Sequence, residues 1–314
     1  MKTVELAGGV GGAKLADGLA SAGDAADLTV IVNTGDDFEH LGLHISPDLD
    51  TVVYTLAGLA NPETGWGRSG ETWHFLETLR ALGGPDWFHL GDKDLALHVE
   101  RTRLLAENWP LGRVTEHLAR SLGVRSGIVP MSDDRVRTIV ESENGPLPFQ
   151  EYFVARRCSP AVRGFRYEGA AEARPAPGAV EAIREADWVV LGPSNPWVSI
   201  DPILAIPGIR AALEEKTVVG VSPIVGGRAV KGPAAKMFAE LGIEPSALAV
   251  GRHYQGVIKG LVIDIADQRQ EAAIRALGIE VLSTAALMTT AMDRRRLAHD
   301  VVKFASRLAD GSAG

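Results

Sequence analysis

Short apolar runs alternate with stretches of helical periodicity along most of the chain. Thr3–Ala7 reads as a short buried strand, glycines follow, and apolar residues recur at helical spacing from Ala13 to Ala22. Leu28–Val32 is a second, β-branched apolar run, bounded by Asn33-Thr34-Gly35. Strand, glycine turn, helix and strand in so short a span form a βαβ unit, which implies a parallel sheet covered on both faces. The pattern then changes: Thr51–Leu59, Gly70–Leu82, Asp92–Ala106 and Leu111–Leu122 read as helices joined by Gly-, Pro- and Trp-rich turns. Arg125–Pro130 and Val136–Glu141 are strand-like, and the turn Asn144-Gly145-Pro146 predicts a hairpin with Phe149–Val154. Alternation resumes with a helix at Ala179–Glu185 and strands at Trp188–Leu191 and Thr217–Val221. A helix at Ala234–Leu241 and strands at Leu248–Val250 and Leu261–Ile265 follow. A helix at Gln268–Leu277, a strand at Glu280–Leu282 and a helix at Thr289–Leu308 complete the chain. Ala170–Pro177 reads as a linker, and the tail Gly311–Gly314 as frayed.

The predicted fold class is α/β: a Rossmann-like three-layer α/β/α domain with a mainly parallel sheet, built from residues 1–59 and 126–314. Residues 60–125 form a helical insertion subdomain. A length of 314 residues suits such a domain. Hydrophobic content of 46% with 23% charged residues excludes wholesale disorder. The net charge of −8 argues against a nucleic-acid or anionic-membrane surface, both of which need a basic face. It leaves room for a local anion site, since backbone N–H groups and one Lys suffice to hold a phosphate. Cys158 is the single cysteine, so no internal disulfide forms, which fits a reducing compartment. Met1–Ala7 runs straight into a strand rather than a leader peptide, and no apolar run reaches the roughly 18–20 residues of a membrane span. The expected location is cytoplasmic.

Chemistry concentrates at turns. Gly8-Gly9-Val10-Gly11-Gly12-Ala13-Lys14 joins a strand to a helix, where glycines let backbone approach a ligand and free N–H groups favour an anion. Two phosphate motifs come close and fail: Lys14 stands where a dinucleotide fingerprint needs Gly, and Ala13-Lys14-Leu15 lacks the Gly and hydroxyl of a P-loop. The alternative is a tight turn with no ligand. After the second strand, Asp36 and Asp37 are adjacent carboxylates at a strand end, suited to magnesium or to an Asx-turn. Ser46-Pro47-Asp48-Leu49-Asp50-Thr51 adds two more acids at a helix start, where Asp50 alone reads as an N-cap. His40 and His44 have i, i+4 spacing but lie in a loop, a weak zinc pattern. Trp66, Trp73, Trp87 and Trp109 fall in the insertion, either as core or as a stacking surface. Gly192-Pro193-Ser194-Asn195-Pro196 and Ser222-Pro223 follow later strands, where ligands of open α/β sheets collect. Arg294-Arg295-Arg296 reads as a solvated face.

The ordered set Gly8–Lys14, Asn33–Asp37, Ser46–Thr51, Leu90–Asp94, Pro130–Asp134, Gly192–Pro196 and Val221–Pro223 resembles the 2-phospho-L-lactate transferase family over nearly the whole chain. That resemblance implies transfer of a phospholactyl or enolpyruvyl phosphate group from a guanosine diphosphate adduct to the deazaflavin Fo, in biosynthesis of coenzyme F420. GMP is released and Mg2+ is required; a homodimer is the implied assembly. By the same resemblance, Gly8, Gly9, Gly11, Gly12, Lys14, Ser194, Asn195 and Ser222 would hold the nucleotide and its phosphates. Asp36 and Asp50 would be catalytic, and Asp36, Asp37 and Asp50 would hold the metal. Thr34, Asp48, Asp50, Trp66, Gly91, Asp92 and Lys93 would face Fo, with Lys93 standing where relatives carry Arg. Asp50→Asn is expected to abolish GMP release with the fold intact. Two rival readings are a non-catalytic, nucleotide-sugar-sensing relative and an NAD(P)-dependent oxidoreductase; for the latter, Asp36 lies far from the ribose-binding position.

Overall fold

The computed structural model describes residues 1–22 and 27–311; of the tail Gly311–Gly314 expected to fray, Gly311 ends the last helix and 312–314 lie outside the described residues. β1 (Thr3–Ala7) leads through the glycine turn into α1 (Gly9–Ala22) and back to β2 (Leu28–Val32). A small hairpin of β3 (Phe38–His40) and β4 (Leu43–Ile45) then delivers the chain to α2 (Pro47–Leu56). Three helices follow: α3 (His74–Ala81), α4 (Asp92–Ala106) and α5 (Leu111–Ser121). β5 (Gly127–Pro130) rejoins the sheet, after which β6 (Arg137–Ser142), β7 (Gly145–Pro148) and β8 (Val162–Glu168) make a separate antiparallel sheet. The second half runs through α6 (Ala179–Glu185), β9 (Trp188–Leu191), α7 (Asp201–Leu204), α8 (Ile209–Glu214) and β10 (Val218–Val221). A hairpin of β11 (Ile224–Val225) and β12 (Arg228–Ala229) precedes α9 (Ala234–Glu240) and α10 (Ala247–His253). β13 (Gly260–Asp264), α11 (Glu271–Arg275), β14 (Glu280–Thr284) and α12 (Ala291–Gly311) end it.

The main sheet has seven strands in the order β14-β13-β10-β9-β1-β2-β5, and every neighbouring pair is parallel. This is the expected α/β/α sandwich. Side chains alternate along each strand, so β1 sends Val4 and Leu6 into one apolar layer and Ala7 into the other. The second layer holds Leu15 and Ala16 of α1, Val52 and Tyr54 of α2, Val114 of α5 and Val301 of α12. The strands read as unbroken apolar runs because both faces are covered. Strand order runs outward from β1 in both directions, so the connections after β1 and β9 diverge and leave a crevice between them. Ligands of open α/β sheets bind at that kind of crevice.

Three local expectations are corrected. Leu248–Val250 is not a strand but lies in α10, whose first turn is capped by Ser246 Oγ accepting from the Ala249 amide at 3.0 Å. A three-residue apolar run carries no period, and the cap decides it. The hairpin partner of β6 is Gly145–Pro148 rather than Phe149–Val154, because the turn closes at Gly145 with φ of 100°; Glu151–Ala155 forms a π-helical turn. Ala170–Pro177 is packed rather than a free linker: Ala170, Ala173 and Ala176 are buried, and Pro175 bridges to Ser132. Among the described residues no helix is long and apolar enough to cross a membrane.

Candidate active site

The glycine turn after β1 sits against the loop after β9. A methyl group at Gly11 would collide with the Pro193 carbonyl oxygen, and one at Gly12 would lie 2.9 Å from Ser194 Oγ. Gly11 and Gly12 belong to the first turn of α1, and glycine is required there for close approach of the helix to the loop after β9 as much as for any ligand. Ser194 Oγ donates to the Gly8 carbonyl at 2.7 Å and accepts from the Gly8 amide at 3.3 Å. Asn195 Oδ1 accepts from the Trp197 amide at 3.1 Å, starting the π-helical turn Pro196–Ile200. Gly8, Gly9, Gly11, Gly12, Ser194 and Asn195 are therefore gathered at the crevice. Ser222 Oγ, beyond β10, closes a local turn by donating to the Ile224 carbonyl at 2.9 Å. Lys14 donates to the Met288 carbonyl at 3.0 Å, and burial lowers its pKa first, Arg294 and Lys231 further.

The acids come from two segments. Pro47 stands in the first turn of α2, where its fixed φ suits helix entry; Ser46 is the cap residue, so Asp48 and Asp50 lie inside the first turn. Asp48 turns toward β1: its Oδ1 accepts from the Gly9 amide at 2.6 Å and its Oδ2 from Asn33 Nδ2 at 3.0 Å. The same Asn33 nitrogen donates to Asp36 Oδ1 at 2.9 Å, so Asp36 and Asp48 face each other across one amide. Gln150 donates to the other oxygen of Asp36 at 3.1 Å. Both acids are buried with uncharged donors. Burial first, then repulsion from Asp48 and Asp37, pushes Asp36 well above the usual carboxylate range. Burial lifts Asp48 to about 7 against the pull of its two hydrogen bonds. Asp37 is held by Ser46 Oγ at 2.8 Å and His44 Nε2 at 3.1 Å, leaving its buried Oδ1 without a partner. Thr34 Oγ1 beside it is likewise buried and unpartnered.

Asp50 points the other way. Both its oxygens accept from Arg101 of α4, the longer contact measuring 3.1 Å, and His98 Nδ1 lies 3.7 Å away. Burial raises the Asp50 carboxyl, while Arg101 and His98 work against that. His98 continues to Asp94 at 3.4 Å, and Tyr54 donates to Asp94 at 2.6 Å. This buried charge network fastens α4 to α2. Arg101, His98 and Gln150 were not singled out from the sequence, and Asn33 entered only as the first residue of the Asn33–Asp37 motif. A signal for two of them existed: Asp94, His98 and Arg101 share one face of a correctly placed helix.

The residues expected around the acceptor are mostly busy with local structure. Asp92 accepts from Thr72 Oγ1 at 2.5 Å and from the His74 and Phe75 amides at 3.2 and 3.0 Å, capping α3. Lys93 Nζ donates to the Gly70 carbonyl at 2.7 Å, and Gly91 precedes α4 at its cap position. Trp66 is 47% exposed, so its ring face is available for stacking. The other tryptophans do not join it: Trp87 packs with Phe38, His40 and Phe88, and Trp109 stacks with Arg113. His40 and His44 lie on opposite strands of the β3–β4 hairpin, His44 on Asp37 and His40 among rings. A cleft of about 420 Å³ lined by Lys216, Val257 and Gly278 opens at the amino ends of β10, β13 and β14, the far end of the sheet from these acids.

Comparison with known proteins identifies the family. The profile of the family 2-phospho-L-lactate transferase CofD matches residues 3–303. The phosphoenolpyruvate transferase of Streptomyces griseus is 45% identical over 316 residues, covering 98% of this chain and 99% of that protein. The 2-phospho-L-lactate transferase of Methanopyrus kandleri is 43% identical over 311 residues, covering 98% and 99%. The crystal structure of protein BH3568 from Bacillus halodurans shares the fold, with a TM-score of 0.63 at 17% identity over 96% of this chain and 99% of that one. The chain belongs to the 2-phospho-L-lactate transferase CofD family, and it is a transferase of phospho-acid groups.

Proposed function

We propose that this family member moves a phospholactyl or phosphoenolpyruvyl group from a guanosine diphosphate adduct to the ribityl hydroxyl of Fo, in biosynthesis of coenzyme F420. The bond between the β-phosphorus and the bridging oxygen breaks, and GMP leaves with that oxygen. The acceptor hydroxyl forms the new P–O bond and gives its proton to a carboxylate. The observation that carries the reading is the pair Asp36 and Asp48, two buried acids at the crevice that share the Asn33 amide and accept only from uncharged donors.

These residues fit magnesium. Their like charges and burial lift both carboxyls, only uncharged N–H donors reach them, and hard oxygens are the ligands the ion prefers. Among the described residues no three His, Cys, Asp or Glu side chains form a ready-made metal cage. Magnesium takes one or two carboxylates and completes its shell with phosphate oxygens and water. When bound, magnesium neutralises charge between the diphosphate and the incoming hydroxyl. Asp36 and Asp48 would hold it, a shift of weight from Asp50, whose oxygens Arg101 occupies. Asp37 Oδ1 is the buried oxygen free to orient the acceptor hydroxyl and take its proton.

The turn Gly8–Gly12, Lys14, Ser194, Asn195 and Ser222 would border the guanosine diphosphate moiety. The insertion of residues 60–125 would receive Fo against Trp66, with Thr34, Gly91, Asp92 and Lys93 along that side. Incubation with Fo, magnesium and the lactyl or enolpyruvyl adduct should give the condensed product and GMP by mass spectrometry. No product with either donor would sink the proposal.

A further inference from the structure

After β10 the chain makes the β11–β12 hairpin, and Val230, Lys231 and Gly232 lead on into α9. Lys231 donates its ammonium to the carbonyl oxygen of Thr64. A methyl group built on Gly65 would lie 2.7 Å from Lys231 Nζ and 3.0 Å from Val10 Cγ1, so the ammonium, the insertion and the glycine turn meet at one place. Lys14 stands one helical turn beyond Val10, within electrostatic reach of Lys231. Neither lysine is in an ion pair among the described residues; backbone carbonyls alone hold them. In a chain with 40 acidic residues, two ammoniums within electrostatic reach of each other and held by carbonyls leave positive charge that an anion of more than one charge would balance. Desolvation lowers the pKa of Lys231, and burial and the other cations lower that of Lys14.

The position says which anion. On the proposed function Ser194, Asn195 and Ser222 would border the donor, and Trp66, adjacent in sequence to Thr64 and Gly65, the acceptor. A group bound between them is the one that passes across. We propose that Lys231, with Lys14, binds the β-phosphate of the donor, the phosphoryl group that is transferred. This rests on the guanosine diphosphate reading above.

Titration calorimetry with GDP and with GMP, in magnesium, tests it on the full chain, Lys231→Met and Lys231→Arg. Lys231→Met should weaken GDP about 10- to 100-fold, the range for one charge-assisted contact. GMP, which lacks the β-phosphate, should bind Lys231→Met within about twofold of the unaltered chain, a result that also reports an intact site. Lys231→Arg should recover most of the GDP affinity. Unchanged GDP binding by Lys231→Met, or an equal loss for GDP and GMP, would overturn the assignment. Failure of the unaltered chain to bind GDP would overturn the nucleotide reading itself, and the assignment with it.

Discussion

Asp48 and Asp50 are two residues apart in one helical turn and almost equally buried, at 6% and 5% exposure. Burial therefore does not distinguish them; their partners do. Asp50 meets a guanidinium and an imidazole, and its charge is spent on fastening α4 to α2. Asp48 meets a backbone amide and a side-chain amide, and across the latter another carboxylate. A buried acid with a cation is architecture, whereas a buried acid facing another acid is a site waiting for positive charge.

The same isosteric change at the two positions should have opposite effects. Asp50→Asn leaves Arg101 buried without its counter-charge and should cost about 3 kcal/mol or more of stability, read from urea unfolding. The sequence alone suggested that the fold would survive this change; Arg101 alters that expectation. An unchanged midpoint would break the structural reading of Asp50. Asp48→Asn should leave the midpoint within about 1 kcal/mol, because the lost acceptor is offset by relief of desolvation and repulsion. It should slow magnesium-supported GMP release about 100-fold or more, some 2.7 kcal/mol of barrier. Full turnover in Asp48→Asn would return the metal to Asp50.

Glu5 sharpens the contrast with a third outcome. It lies in β1 between Val30 and Val190, fully buried, and neither oxygen has a hydrogen-bond partner. Burial alone raises its pKa well above the ordinary 4.5, so it sits in the core as a neutral acid. Its contribution to stability is complete below that ordinary range and is lost as pH climbs toward the raised folded value. The slope is about 1.4 kcal/mol per pH unit. Glu5→Gln should abolish that slope, so the stabilities of the two proteins should diverge as pH rises above the ordinary carboxylate range. Parallel curves would mean that Glu5 has found a partner. Smallest of all, Trp66→Ala should raise the KM for Fo about three- to tenfold, roughly 1 kcal/mol, and move neither the midpoint nor GMP affinity. An unaltered KM would remove Trp66 from the acceptor face.

Much of the site was legible because turns keep chemistry local. Gly8–Gly12, Asp36 and Ser194-Asn195 follow strands whose apolar runs are plain, and parallel strands bring such turns to one end of a sheet. The partners were harder to see. Gln150 is 114 positions from Asp36 and Arg101 is 51 from Asp50, and both reach their acids through packing between elements that no local pattern orders.

The sequence by itself determined the alternation of strands and helices, the glycine turn, the acidic segments and the family likeness, because each is written in neighbouring residues. Tertiary structure decided which groups each acid meets. A carboxylate's charge state and role depend on which groups lie within a few ångströms in a poorly screened interior. Asn33 between Asp36 and Asp48, Arg101 on Asp50 and Lys231 on Thr64 are meetings that only the folded chain makes.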